Sequence, residues 1–535
     1  MTVAPPRLVR AASLLAVATV GSRVLGLVRE IVVAALFGAT DAKAAYVIGY
    51  YVPFFVQRLF LGGTLSIVLI PTLAEVEARA GEVERARVVG SLFTLVVGVG
   101  AAMVVLGQLA APWLVPIAAP GFAANPAQMA LTVHLTRINF LAMFFLALAV
   151  FATAYLQARQ RFTAPALAPL AFNVTIIVLT LWLGPRLGIT GLAVAWVAGT
   201  AVLFAAQAPA LWTAGFRARL TVDWTHPALR TLARLAFPAM LGLAIVEINA
   251  YVGRLLASLL PAVPGVNAVA ALDYAYEVVQ APIGILAISV ATVLFPGMSQ
   301  AAAGGDHAAL RQTTALGIRA LVFLVLPVSL ALAALAEPVV RVVFERGEFG
   351  TGATATVAAC LAAYAVGLVP MALYYVATRA FYALQRVRTP VAVGAAMVVV
   401  NALLALGLMR RLGVAGIALA SGVVAVANVA VLLILLARAL GGLEGGRAAS
   451  TALRAGLAAA AAVAGARVVL TGLHDSLAPA GAAGRAAALG VALGAAAIIY
   501  LAGCAALRVE EVALLRDLVR RRGRRAAAPA ASGVP

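Results

Sequence analysis

Long apolar stretches alternate along the chain with short polar or basic connectors, and each stretch is close to the length that crosses a bilayer. A helix needs about 20 predominantly apolar residues to span a hydrocarbon core roughly 30 Å thick. The pattern therefore predicts fourteen transmembrane helices, at approximately 9–36, 44–70, 88–111, 131–156, 164–184, 188–212, 231–258, 270–297, 312–336, 353–382, 390–409, 413–437, 452–471 and 486–507. An all-α polytopic membrane protein follows, because a chain in lipid must satisfy its backbone hydrogen bonds internally. The first apolar run does not read as a cleaved signal peptide: Arg23 and Arg29 interrupt it, and further spans follow at once.

Composition agrees with the pattern. The 535 residues are 64% hydrophobic and only 11% charged, against about 25% charged in soluble domains. Mean hydropathy is +1.06. A net charge of +20 suggests nucleic acid at first, but its distribution follows the membrane instead. With the N-terminus inside, cytoplasmic segments hold 21 of the 39 basic residues and outside loops hold 7. That asymmetry is the positive-inside bias, and it places both termini in the cytoplasm. Arg79, Arg85, Arg87, Arg159, Arg161, Arg217, Arg219 and Arg230 contribute to it, as does the tail Arg520-Arg521-Arg522-Gly523-Arg524-Arg525. Contact with anionic lipid accounts for such a tail, at about 1 kcal/mol per basic residue near the surface. No nucleic-acid partner is expected. The Ala/Pro-rich end, 526–535, is expected to be disordered. Cys360 and Cys504 lie in apolar surroundings and suggest neither a disulfide framework nor a metal site.

The chain carries two related copies of one unit. Tyr155-Leu156-Gln157-Ala158-Arg159-Gln160-Arg161 precedes Pro165 much as Tyr382-Ala383-Leu384-Gln385-Arg386-Val387-Arg388 precedes Pro390. Leu187-Gly188-Ile189-Thr190-Gly191 matches Leu412-Gly413-Val414-Ala415-Gly416, and Ile70-Pro71 matches Phe295-Pro296, both at an offset of 225; Asn401 follows Asn173 by 228. Six spans separate the copies, and an even number preserves orientation. This is a parallel repeat about an axis along the membrane normal, an arrangement found in transporters that rock two lobes. The expected organisation is an N-terminal lobe at 1–220, a C-terminal lobe at 221–440, two extra spans at 441–510 and a cytoplasmic tail at 511–535.

Candidate chemistry begins with arginines in or beside the spans: Arg23, Arg29, Arg58 and Arg254. An arginine at the bilayer centre costs roughly 2.5–3.5 kcal/mol on insertion scales, so repeating it needs a reason. Guanidinium groups stay charged and present a fork suited to phosphate oxygens. The structural alternative is pairing with Asp41, Glu247, Asp273 or Glu277, with snorkelling near a membrane face. Arg23 and Arg29 are about 9 Å apart along a helix axis and about 240° apart in rotation, so they share no narrow stripe. Gly21 and Gly26 leave room for close packing, and Gly62 and Gly63 do so beside Arg58. Glu30 is a candidate partner for an arginine, yet one position from Arg29 it is not placed to face it neatly.

Asp41, Glu247 and Glu277 are the candidates for gating or ion coupling. Asp41 could instead cap the second span. Arg341 and Arg346 lie outside, against the charge rule, where a charged headgroup is one partner to consider. His134, His226, His307 and His474 are scattered without ligand spacing, and no metal is implied. HExxH, a phosphate-binding Gly-Lys-Ser/Thr loop, a nucleophile elbow and clustered Asp-rich motifs are all absent. The easiest ATPase and hydrolase readings fall with them. No catalytic residue and no cofactor is expected.

Ser22-Arg23-Val24-Leu25-Gly26-Leu27-Val28-Arg29-Glu30 followed by Phe37-Gly38-Ala39-Thr40-Asp41-Ala42 resembles the opening of the MurJ/MviN lipid II flippases, within the multidrug/oligosaccharidyl-lipid/polysaccharide exporter superfamily. Arg58-Leu59-Phe60, Ile70-Pro71-Thr72-Leu73-Ala74-Glu75, Phe295-Pro296-Gly297-Met298-Ser299 and Phe344-Glu345-Arg346-Gly347-Glu348-Phe349 extend the resemblance over nearly the whole chain. It implies a non-enzymatic transporter of the bacterial cytoplasmic (inner) membrane, functional as a monomer. The implied cargo is lipid II, a polyprenyl diphosphate carrying the peptidoglycan precursor, moved to the outer leaflet by alternating access. It further implies that Arg23, Arg29, Arg58 and Arg254 bind substrate, that Asp41 is functionally important, and that the last two spans form a groove for the lipid tail. Two departures stand out. Relatives commonly carry Tyr-Ala-Asp-Arg where this chain has Tyr274-Ala275-Tyr276-Glu277, and Gly62 replaces the glutamate that follows Arg-Leu-Phe. Membrane potential, sodium and protons remain as candidate energy sources. Export of another polyprenyl-diphosphate-linked glycan or an amphipathic drug is the nearest alternative. A non-transporting envelope scaffold and a membrane transferase are the others.

Overall fold

The computed structural model describes residues 6–61, 64–217, 248–249, 251–261, 263–477 and 481–512, so Gly62, Gly63, Glu247, His226 and the basic tail lie outside the described residues. The architecture is all-α. In order, the principal helices are α1 (Pro6–Phe37), α2 (Asp41–Leu61), α3 (Thr64–Ala118), α4 (Pro126–Ala158), α5 (Thr163–Leu187), α6 (Ile189–Ala205) and α7 (Ala208–Thr213). They continue as α8 (Ala268–Pro282), α9 (Ile288–Ala303), α10 (His307–Ala334), α11 (Ala336–Phe344), α12 (Thr351–Ala365), α13 (Leu368–Ala383), α14 (Arg388–Leu440), α15 (Gly445–Leu477) and α16 (Gly481–Ala506). Among the described residues, nine helices are long and apolar enough to cross a membrane, or ten when the bent pair α12–α13 counts as one span.

Helix α14 is 53 residues long, about 80 Å at 1.5 Å per residue, far more than a 30 Å core needs. It breaks at Gly413, whose φ of 57° and ψ of −138° are not helical. Gly188, between α5 and α6, has φ 58° and ψ −145°. Only glycine adopts that conformation readily. The repeat thus recurs in the backbone. Gln160 and Gln385 also share a left-handed φ, at 56° and 57°. Each is followed by an arginine whose N–H closes the same helix-ending turn: Arg161 N to Leu156 O at 2.8 Å, and Arg386 N to Phe381 O at 2.9 Å. The structure therefore pairs Gln160 with Gln385, shifting the sequence pairing of Tyr155 with Tyr382 by two residues. The shift brings this turn onto the same offset as the Gly188 and Gly413 breaks.

Two compact units emerge: 1–274 with 344–356, and 275–343 with 357–535. In the first, α4 is a buried axis whose polar residues bond backward within their own helix. Thr132 and Thr136 donate to the carbonyls of Gln128 and Thr132 at 2.7 Å, and Asn139 donates to Leu135 O at 2.9 Å. Such bonds let polar side chains sit inside an apolar bundle without unmet donors. In the second, Tyr500 donates to Phe323 O at 2.6 Å and Ser329 donates to Ala365 O at 2.6 Å. These bonds tie α16 and the α12–α13 bend to α10.

The Phe344–Phe349 motif has a packing role in the first unit. Phe344 and Phe349 press on Tyr274, while Glu348 N donates to Ala35 O at 2.9 Å. Gly347 permits this approach, with φ 56°, and a Cβ there would collide with the Ala35 carbonyl oxygen. Gly347→Ala is expected to destabilise the protein by about 2 kcal/mol or more through clash and backbone strain. Gly350→Ala meets open space and should be nearly silent. Melting temperatures of the two variants in one detergent check the contrast.

Candidate functional site

Helix α1 carries Arg29 and Glu30 toward the interior of the first unit, and α2 begins with Asp41 and carries Lys43 in its first turn. Arg29 and Glu30 do face each other. Arg29 Nη2 and Nε donate to Glu30 Oε1 at 2.9 and 3.1 Å. Glu30 thus pairs with an arginine as expected, while the expectation that it could not face Arg29 fails because long side chains can curl toward each other, and Lys43 draws Glu30 inward. Its Nζ lies 3.4 Å from Glu30 Oε2 and 3.5 Å from Asp273 Oδ2. Asp273, on α8, in turn accepts from Arg254 Nη2 at 3.1 Å. The result is a continuous ladder of alternating charge: Arg29, Glu30, Lys43, Asp273, Arg254.

Burial makes the ladder energetically significant. Lys43 is 2% exposed, Arg254 5%, Asp273 7% and Glu30 8%, so solvent screens their attractions weakly. Three cations face two carboxylates, leaving a formal excess of one positive charge. Aromatic faces complete the surroundings. Arg29 lies over Trp196 with 5.3 Å to the ring centroid, Arg254 over Tyr51 at 3.5 Å, and Lys43 over Tyr274 at 4.7 Å. Arg254 also donates to the Tyr51 hydroxyl. Ring quadrupoles attract cations most when both are desolvated. Arg29 is held at its far end by Asn173, whose Oδ1 accepts from Nη1 at 3.2 Å while its amide donates to Pro169 O at 2.9 Å.

The structure thus links Arg29 and Arg254 and leaves Arg23 and Arg58 out of the ladder. Both of the latter are exposed on the same two leading helices, Arg58 with its guanidinium over Phe54 at 4.8 Å. Asp41 does not cap α2. The carbonyl of Thr40 accepts the first helical bond, from Ala44 N at 3.0 Å, while the Asp41 carboxylate accepts from Asn267 Nδ2 at 2.7 Å. Its charge also complements the positive end of the α2 dipole. Nearby, Tyr274 donates to Gly38 O at 3.0 Å and Asn267 N to Ala39 O at 2.7 Å, so the turn before Asp41 is held from two sides. Glu277, four residues after Asp273 on α8, is half-buried and belongs to the second unit.

Lys43 is the functional candidate that sequence reasoning missed. The chain contains one lysine among its 39 basic residues, and this is it. That singularity was the available signal. Asp273 entered only as one of several pairing partners, because nothing local links it to Lys43. Chemically, the arrangement presents a guanidinium at each end of the ladder, and each is a fork suited to an anion's oxygens. Among the described residues, no group of three or more His, Cys, Asp or Glu side chains is placed to hold a metal ion.

A family model described as "Lipid II flippase MurJ" matches residues 33–484. The chain is 32% identical over 415 residues to a probable lipid II flippase MurJ of Rhizobium meliloti, covering 75% of this chain and 76% of that protein. It is 29% identical over 416 residues to the lipid II flippase MurJ of Burkholderia cenocepacia, covering 77% and 80%. In fold it is similar to a solved lipid II flippase MurJ in an inward closed conformation, with a TM-score of 0.76, 21% identity and coverage of 95% of this chain and 99% of the other. It is also similar to an inward-facing MATE transporter of the MOP superfamily, with a TM-score of 0.67 and 16% identity over 80% of this chain and 99% of the other.

Proposed function

Because this chain belongs to the lipid II flippase MurJ family, we propose that it carries lipid II from the inner to the outer leaflet of the bacterial cytoplasmic membrane by alternating access. It is a transporter rather than an enzyme; its partners are lipid II and membrane lipids. The observation that carries the site assignment is the buried ladder, which joins Arg29 to Arg254 through Glu30, Lys43 and Asp273 and holds one more cation than carboxylates. A diphosphate offers several oxygens to guanidinium forks, and such charge-assisted bonds are about twice as strong as neutral ones. No covalent bond need change, so these residues bind and release.

In this reading Arg29 and Arg254 hold the diphosphate, while Arg23 and Arg58, exposed on α1 and α2, meet it on entry or departure. Asp41, Glu247 and Glu277 serve gating or ion coupling. The chain has fourteen spans: six in an N-terminal lobe (1–220), six in a C-terminal lobe (221–440) and two more (441–510) that receive the lipid tail, ahead of a cytoplasmic tail (511–535). The Gly188 and Gly413 breaks support the two-lobe reading. The protein works as a monomer, driven by membrane potential, sodium or protons. The exchange of Tyr276-Glu277 for the relatives' Asp-Arg favours one alternative, another polyprenyl-diphosphate-linked glycan as cargo.

The test follows lipid II in cells depleted of their own flippase and supplied with this chain. Restored outward accessibility is the expected result. Lipid II retained inside, with the protein correctly inserted and abundant, would refute the assignment and direct attention to other polyprenyl-linked glycans.

A further inference from the structure

In the ladder the two carboxylates divide their oxygens. Glu30 gives Oε1 to Arg29 and Oε2 to Lys43; Asp273 gives Oδ1 to Arg254 and Oδ2 to Lys43. Each arginine proposed to hold a diphosphate is thus already occupied by an internal anion. A phosphate oxygen can take that place only if the carboxylate has somewhere else to put its charge. Buried carboxylates released without a partner would resist the exchange strongly.

Lys43 supplies the partner. Its contacts of 3.4 and 3.5 Å are longer than the 2.9 and 3.1 Å contacts made by the arginines, and longer than the roughly 2.7–2.9 Å of a tight charge-assisted bond. They can therefore shorten as the carboxylates leave the arginines. The Tyr274 and Tyr46 rings, at 4.7 and 5.7 Å, keep the ammonium group centred between the carboxylates. A lysine suits this place better than an arginine. Its compact charge and three rotatable donors can serve two carboxylates at once, whereas a planar fork would lock onto one of them.

We propose that Lys43 is a positioning residue for anion exchange, holding Glu30 and Asp273 in reserve so that a diphosphate can replace their carboxylates on Arg29 and Arg254. This rests on the reading of those arginines as headgroup ligands. The role concerns charge balance, which separates it from a packing role.

The experiment measures binding of undecaprenyl diphosphate to the purified full-length protein in lipid nanodiscs, with melting temperature recorded for each variant. Lys43→Met leaves both carboxylates clamped on the arginines, and affinity should fall about tenfold or more. Asp273→Asn removes one internal competitor and should tighten binding about three- to tenfold. Combining Lys43→Met with Asp273→Asn restores the net charge of the ladder and should return affinity to within about threefold of wild type. A packing role would give no such recovery. Should Lys43→Met fail to fold, Asp273→Asn and the charge-balanced double variant still decide. Wild-type binding with Lys43→Met unaffected, weakened binding in Asp273→Asn, or a double variant that fails to recover would each overturn the role of Lys43. Absence of wild-type binding would overturn the diphosphate reading itself, and the role of Lys43 with it.

Discussion

Arg29→Ala is expected to lower outward movement of lipid II by about 100-fold or more at matched membrane abundance. A hydrogen bond to a charged group contributes about 1.5–3 kcal/mol, and a guanidinium facing a diphosphate makes at least two. Folding should suffer less. Removing Arg29 leaves Glu30 buried, but Lys43 remains 3.4 Å from its other oxygen, so the carboxylate is not stranded. Arg29→Lys restores charge without the fork and without the reach to both Glu30 and Asn173; it should recover only a small part of transport. The measurement is leaflet accessibility of lipid II in flippase-depleted cells, alongside protein abundance. Full transport by Arg29→Ala would remove Arg29 from the site. Equal recovery by Arg29→Lys would show that charge alone matters there.

The sequence made the greasy architecture and its duplication visible because both are written in local pattern. Span length, basic connectors and the Leu-Gly-x-x-Gly recurrence need no tertiary knowledge, and Gly188 and Gly413 adopt the same rare backbone in consequence. Arg29 and Arg254 were legible for a related reason: each breaks an apolar run. Their connection was not. It passes through Glu30, Lys43 and Asp273, which lie on three different helices, and helical spacing alone even argued against the Arg29–Glu30 contact. Lys43 escaped notice because it sits near the start of a span, where a basic residue ordinarily reaches water. Only the fold shows it sealed beneath Tyr274. Asp41 illustrates the converse. Its place beside a helix start suggested a cap, but the cap position belongs to Thr40, which leaves the Asp41 carboxylate available to Asn267.

The largest expected loss of stability lies away from the ladder, at Arg319 on α10. Its guanidinium gathers the far end of the second unit. Nε is 3.3 Å from Glu511 Oε1, and Nη1 is 3.4 Å from Glu510 Oε2 and 4.0 Å from Glu444 Oε2. Glu511 is only 3% exposed and has Thr451, at 3.2 Å, as a second partner. These contacts fasten the start of α15 and the chain after α16 to α10. Arg319→Ala would leave Glu511 buried with one hydroxyl for company. Breaking a buried pair from one side costs about 3–5 kcal/mol, so the expected result is a sharp drop in melting temperature. Glu510→Gln removes a partner whose side chain is 69% exposed, and exposed pairs contribute about 0–1 kcal/mol. That variant should melt close to wild type. Combining Arg319→Ala with Glu511→Gln removes the stranded charge and should recover a substantial part of the loss, because the penalty comes from an unpaired ion rather than from missing packing. If Arg319→Ala and Glu510→Gln melt alike, the cluster contributes little to holding α15 and α16 in place, and their attachment must rest on apolar contacts such as Tyr500 against Phe323.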